Sequence, residues 1–172
     1  MKINNRVLVV VLMIVAAAAC RLLTNALHLW NFTPIAAMAL FAGANLKDKK
    51  FAFLVPLVAM FLTDLVLGLH TGLFIIYAAM ALITLIGFWL ENKQTVTNII
   101  GASLVSSVLF YVITNFFVWF QNPLHNQDFQ GLLHCYTIAI PFFGNTVGGD
   151  LFFCGALFGG YALIKSRNTQ KA

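Results

Sequence analysis

Apolar and polar positions alternate along the chain in long blocks. Apolar blocks cover residues 7–27, 51–69, 73–90 and 96–120, and short polar segments separate them. A helix needs about 20 mainly apolar residues to cross the hydrocarbon core of a bilayer. The pattern therefore predicts a transmembrane helix over each of these four blocks.

Two further apolar segments are less regular. The turn-like residues 31–34 precede an apolar run at 34–46, which predicts a second span too short to cross without tilt or shelter by protein. The last block, 131–164, is too long for one helix, and Pro141 and Gly144 predict a break in it. We expect an interfacial or re-entrant piece at 132–140 and a sixth span at 145–164.

The predicted fold class is an all-α integral membrane protein, a bundle of six transmembrane helices with a short second span and a broken segment before the sixth. Composition supports it, because 61% of the residues are hydrophobic and 9% are charged. A water-soluble domain with so few polar residues could not cover its surface. The whole chain, residues 1–172, is therefore expected to form a single domain within the lipid bilayer.

The basic residues lie in small clusters between the apolar blocks, so we interpret the formal charge of +5 as a topology signal and expect no nucleic-acid partner. With six spans, all but one of the basic residues fall on the same side: Lys2, Arg6, Lys47, Lys49, Lys50, Lys93, Lys165, Arg167 and Lys171. Only Arg21 falls toward the other side. Because loops rich in lysine and arginine stay in the cytoplasm, both termini are predicted to be cytoplasmic.

Strongly polar residues converge in the predicted outer half of the membrane. At a rise of about 1.5 Å per residue, Arg21, Asp64, Asn115 and Asp150 all lie roughly 20 Å or more from the cytoplasmic edge. Charged groups in a membrane are tolerated mainly when they are paired or line a cavity. We therefore expect Arg21, Asp64 and Asp150 to be neighbours or to face water.

These residues predict an outward-facing pocket for a small-molecule substrate, lined by Arg21, Asn31, Asp64, Asn115, Trp119, Asn145 and Asp150. Arg21 would hold a carboxylate or phosphate of the ligand, while the two carboxylates would accept from its donors or neutralise Arg21. Other roles fit the same residues: a buried ion pair that fixes helix packing, interhelical bonds from the asparagines, and an interfacial anchor for Trp119. Which carboxylate pairs with Arg21 is open.

Catalytic and metal-binding patterns are absent from the sequence. The histidines have no HxxxH or HExxH spacing, the three cysteines have no CxxC spacing, and no nucleophile–base pair stands out. We therefore expect free thiols and a protein that is not an enzyme and has no metal or cofactor. Small residues four apart, Ala39 with Gly43 and Gly155 with Gly159, predict close helix packing or a docking face for a partner.

Several motifs resemble the signature of an uncharacterised bacterial family of small six-span membrane proteins: residues 31–41 (NFTPIAAMALF), Pro56 with Thr63-Asp64, Thr114-Asn115-Phe116 with Trp119, and Cys135-Tyr136 through Pro141 to Asn145. That family is similar in size and topology to the substrate-binding S-components of energy-coupling-factor (ECF) vitamin transporters. The resemblance implies a protein of the bacterial cytoplasmic (inner) membrane that captures a small molecule outside the cell. It also implies coupling to a transmembrane protein and ATPases.

Other functions are compatible with the same pattern. A protonatable Asp64 or Asp150 would suit a proton-coupled carrier. A non-transporting membrane scaffold of a cell-envelope complex, similar to the six-span proteins that determine rod shape, would have the same size and topology but no ligand.

Overall fold

The computed structural model describes residues 5–123 and 126–169, with side chains described for 7–123 and 126–167. Lys2, Lys171 and the side chain of Arg6 lie outside the described residues. The described chain is all helical: α1 (Asn5–Ala26), α2 (Ile35–Asn45), α3 (Lys49–Leu67), α4 (Leu73–Leu90), α5 (Val96–Gln121), α6 (Phe129–Ile138) and α7 (Ile140–Thr169).

Five of these helices, α1, α3, α4, α5 and α7, are long and apolar enough to cross a membrane. Many of their large apolar side chains are exposed on the outside of the bundle, including Leu12 at 58% and Val66 at 71% exposure. Polar side chains such as Asp64 and Asp150 are buried inside. This distribution is the one that a bilayer favours, because lipid solvates apolar surface and leaves buried polar groups to be satisfied within the protein.

The predicted second span, α2, has only 11 residues and a length of about 16 Å. It is shorter than a bilayer core, so the described chain has five helices long and apolar enough to cross a membrane, and six spans are not confirmed. The predicted shelter by protein is present, because nine of the 11 residues of α2 are buried. Helices α3, α4, α5 and α7 surround it, and α2 is the centre of the bundle.

Small residues allow this central packing. A Cβ atom built on Gly43 of α2 would lie 2.5 Å from the backbone oxygen of Thr84 and 2.9 Å from the Cα of Gly87 on α4. The two backbones therefore touch, as the spacing of Ala39 and Gly43 predicted. By contrast, nothing within the described chain lies within 4 Å of a Cβ built on Gly155, Gly159 or Gly160. That face of α7 packs against no other described helix.

Contacts between loops identify the two ends of the bundle. Lys49 at the start of α3 pairs with Glu91 at 2.7 Å, and Gln94 donates to the backbone oxygen of Ala44, so the α2–α3 and α4–α5 loops are neighbours. We call this the basic end, since Lys47 and Lys93 belong to these loops and Lys50 lies beside them in the first turn of α3. The α1–α2 loop lies at the opposite end, where Asn145 of α7 donates to the backbone oxygen of Trp30.

The predicted break around Pro141 and Gly144 is wrong. The helix α7 begins at Ile140, and Pro141 lies in its first turn. Proline is tolerated there because the first backbone N–H groups of a helix have no intrahelical acceptor. The interruption lies instead at Ala139, which separates α6 from α7.

Candidate functional site

Arg21 of α1 forms an ion pair with Asp64 of α3. The Nη1 atom of Arg21 lies 2.7 Å from Oδ1 of Asp64, and the side chains are 17% and 2% exposed. The same Nη1 atom also donates to the hydroxyl of Thr63 and to the backbone oxygen of Met60. Asp64, and not Asp150, is therefore the partner of Arg21.

The second carboxylate oxygen of Asp64 has its own partner. The hydroxyl of Tyr77 on α4 donates to Oδ2 of Asp64 at 2.7 Å. Both oxygens are thus occupied, and one carboxylate links α1, α3 and α4. This agrees with the general requirement that a charge buried in a membrane be paired and hydrogen-bonded.

A cavity of about 120 Å³ lies beside this pair, and we call it the central cavity. Its polar lining comes from two helices and one loop: Arg21 of α1, Asn31 and Thr33 of the α1–α2 loop, and Thr146 and Asp150 of α7. Its apolar lining is Ile35, Ala36, Met60, Ile76, Met80 and Phe110. A buried cavity with a few convergent polar groups is the arrangement typical of small-molecule sites.

Asp150 is the second carboxylate of the cavity, and it is 3% exposed. Its Oδ2 accepts a hydrogen bond from the hydroxyl of Ser107 on α5 at 2.6 Å. Within the described chain, no basic side chain lies within ion-pair distance of Asp150. Its surroundings therefore differ from those of Asp64.

Two further cavities follow the central cavity toward the α3–α4 turn. An adjoining cavity of about 210 Å³ shares Asn31, Ile76, Phe110 and Thr146 with it, and has a largely aromatic wall that includes Tyr111, Phe142 and Phe143. An open groove of about 610 Å³ follows between the α3–α4 turn and the end of α5. Ile76 lines all three spaces, so they are neighbours, and we call them the cavity series; its outermost member lies at the α3–α4 turn.

The α1–α2 loop supplies one wall through an unusual backbone. His28 has a φ of 57° and Asn31 a φ of 63°, both in the left-handed region. The N–H of Leu29 donates to the oxygen of Thr24 and that of His28 to the oxygen of Asn25, which is the Schellman ending of a helix. Asparagine tolerates the left-handed conformation, and Asn31 reaches both inner cavities from it.

The seven residues predicted for the site have different environments. Arg21, Asn31 and Asp150 line the central cavity, and Asn115 lines the adjoining cavity while donating to the backbone oxygen of Tyr111. Asp64 lies behind Arg21. Trp119 donates to the backbone oxygen of Asn126 in the α5–α6 connection, and Asn145 joins α7 to Trp30.

Two residues that contact the predicted carboxylates were missed. Tyr77 lies within a block of otherwise apolar residues, and nothing local distinguishes it from an interfacial tyrosine. Ser107 was detectable, because Ser103, Ser106 and Ser107 are spaced three and four apart and so share one face of α5. All three serines are fully buried, and the hydroxyl of Ser106 has no hydrogen-bond partner in the described chain.

Histidine, cysteine and acidic side chains form no group that could hold a metal ion in the part of the chain that the structure describes. Cys20, Cys135 and Cys154 are free thiols, as expected.

Comparison with known proteins identifies a family. No curated protein and no solved structure matches the chain. One family model, described as a family of unknown function (DUF6580), matches residues 1–172. The predicted resemblance to an uncharacterised family is thereby supported over residues 1–172. The chain belongs to the DUF6580 family of unknown function.

Proposed function

We propose that this protein is a membrane transport protein of the S-component type, which binds a small-molecule substrate in the central cavity for uptake. The observation that carries the proposal is that Arg21, which is 17% exposed, and the buried Asp150 face one cavity, next to further cavities that reach the α3–α4 turn. Burying an ionisable group at membrane depth is costly, on the order of 2.5 to 3.5 kcal/mol near the centre on insertion scales. A role in substrate binding would explain why the protein tolerates this free-energy cost.

A purely structural role explains only part of the site. The Arg21–Asp64 pair, with Tyr77, is a closed set of contacts that could serve helix packing alone. Asp150 belongs to no such pair, and a packing role does not call for a cavity beside it. A transport-type site accounts for both features, since a solute needs space and a polar group to bind.

The charge distribution supports an outward-facing site. The basic loops lie at one end of the bundle, and the cavity series leads to the α3–α4 turn at the other end. Under the positive-inside rule the basic end is cytoplasmic. The groove would then open outside the bacterial cytoplasmic membrane, as uptake requires.

Energy could enter in two ways under this proposal. In the S-component mode, a transmembrane coupling protein with ATPases would reorient the loaded protein. In the proton-coupled mode, Asp150 would exchange a proton. Uptake that stops when the ATPases are deleted supports the first mode, and uptake that follows an imposed pH gradient in liposomes supports the second.

The test is a ligand screen with a variant that fills the cavity. Ala36 lines the central cavity, whereas Ala156 is exposed on α7, so Ala36→Leu and Ala156→Leu make a matched pair. Each purified protein is heated in detergent with vitamins, nucleobases, amino acids, amines and organic acids, because a ligand specific for the folded state raises its melting temperature.

We expect one compound class to stabilise the wild type and Ala156→Leu but not Ala36→Leu. Cells that express the wild type should then accumulate that compound. If no compound stabilises the wild type, the binding proposal is wrong and a scaffold of a cell-envelope complex becomes the better explanation.

A further inference from the structure

The charges around the central cavity do not balance. The positive charge of Arg21 is neutralised by Asp64 at 2.7 Å. Asp150 adds a carboxylate to the same cavity without a basic partner in the described chain. With Asp150 ionised, the cavity carries one uncompensated negative charge, so its electrostatics favour a cation.

The donors and acceptors lead to the same conclusion. The Nη1 atom of Arg21 contacts acceptors of Asp64, Thr63 and Met60, so this nitrogen is committed to α3. At Asp150, Oδ2 accepts from Ser107, whereas Oδ1 accepts no hydrogen bond from a described residue. Oδ1 of Asp150 is thus an open acceptor at the cavity, and a ligand that binds it must bring a donor.

The neighbouring space indicates what the rest of the ligand is. Phe110 and Thr146 belong to both inner cavities, and the adjoining cavity has a wall of Tyr111, Phe142 and Phe143. The rings of Tyr111 and Phe143 lie 4.7 Å apart. Aromatic walls favour an apolar or aromatic group, and their faces attract cations.

We propose that the substrate is an organic amine whose ammonium group binds Asp150 and whose apolar or aromatic part occupies the adjoining cavity. The inference rests on the proposed function, because it names the substrate class of the same site. It replaces the expectation that Arg21 holds an anionic group of the ligand. Asp150 is the counter-ion, and Arg21, which is paired with Asp64 behind it, is part of the wall.

Three probes of one shape test the charge requirement on the wild-type protein: phenethylamine, its neutral analogue 2-phenylethanol, and the anionic analogue 3-phenylpropionate. Affinity is measured by calorimetry in detergent near neutral pH. We expect phenethylamine to bind about tenfold or more tightly than either analogue, because a charge-assisted hydrogen bond in a desolvated site is stronger than a neutral one.

Variants then assign the charge to one residue. Asp150→Asn keeps the shape of the side chain and removes its charge, and Glu91→Gln removes one acidic charge at the basic end. We expect the amine preference to disappear in Asp150→Asn and to persist in Glu91→Gln. The wild-type probe comparison still decides the proposal if Asp150→Asn fails to fold.

The outcomes separate this inference from the proposed function. Binding of 3-phenylpropionate or other acids, with amines inactive, overturns the amine assignment and leaves a small-molecule site in place. Stabilisation by sodium chloride but not potassium chloride, without an effect of amines, overturns it in favour of an inorganic cation. If neither these probes nor any compound of the broad screen binds, both proposals fail.

Discussion

Two ion pairs of this protein have the same N–O distance but differ in burial, so they should contribute differently to its stability. Arg21–Asp64 and Lys49–Glu91 both have an N–O distance of 2.7 Å. The side chains of the first pair are 17% and 2% exposed, and those of the second are 43% and 45% exposed. An exposed pair contributes little because water screens it, whereas a buried charge without its partner is strongly destabilising.

We therefore predict that Asp64→Ala destabilises the protein by about 3 to 5 kcal/mol, because it leaves Arg21 buried without a counter-charge. Glu91→Ala should cost about 1 kcal/mol or less. Unfolding of both variants by denaturant in one detergent measures the difference.

A double variant tests whether the unpaired charge of Arg21 causes this loss of stability. In Arg21→Met with Asp64→Leu, both charges are gone and the side chains keep their approximate volumes. Most of the stability lost in Asp64→Ala should return. Equal losses in the single and double variants would contradict the account and would indicate that packing, not charge, is the main term.

At the level of elements, α2 is the unusual one, since it is the shortest helix of the bundle core and the most enclosed. Its small residues let it approach α4 until the backbones touch at Gly43 and Gly87. Larger side chains at these two glycines would push α4 away from α2 and would shift the part of the cavity wall that Ile35 and Ala36 form. The close packing of α2 therefore holds the site together.

Replacing glycine by alanine should change the stability of the protein in different directions at two positions. Gly43→Ala should lower the melting temperature, by the equivalent of about 1 to 3 kcal/mol, because its Cβ meets the backbone of α4. Gly155→Ala should be neutral or should stabilise by up to about 1 kcal/mol, because alanine favours helix and the position is open. Equal effects at both positions in a thermal melt would show that α2 and α4 are not in close contact.

At the level of the whole molecule, charge and cavity lie at opposite ends. The basic loops meet through Lys49 with Glu91 and through Gln94 with Ala44. The groove opens beside His70, Thr71 and Gly72. If the positive-inside rule sets the orientation, the groove faces away from the cytoplasm.

Labelling of single cysteines tests this orientation. In a chain with Cys20, Cys135 and Cys154 replaced by alanine, Thr71→Cys and Lys93→Cys place one exposed thiol at each end. A membrane-impermeant maleimide should label Thr71→Cys in intact cells, and Lys93→Cys only after permeabilisation. The reverse pattern would place the groove in the cytoplasm and would exclude uptake through an outward-facing site.

Much of the helical structure could be predicted from local pattern. The helix at residues 73–90 is confirmed at both ends, and the predicted bounds of α1, α2, α3 and α5 differ from the observed ones by one or two residues. The predicted break at Pro141 was wrong, because proline breaks a helix only in its interior and Pro141 lies in the first turn of α7. Where a helix starts depends on its tertiary contacts. The gathering of Arg21, Asn31 and Asp150 around one cavity agrees with the depth argument.

Local properties are enough to predict that the chain is helical and suited to a membrane, and that a few polar residues share one layer of it. These properties are hydropathy and the rise per residue. The pairing of Arg21 with Asp64, the contact from Tyr77, the absence of a basic partner for Asp150 among the described residues and the central place of α2 are evident only in the folded chain. Each of these depends on how helices distant in sequence rotate and pack against one another, and hydropathy carries no information about that.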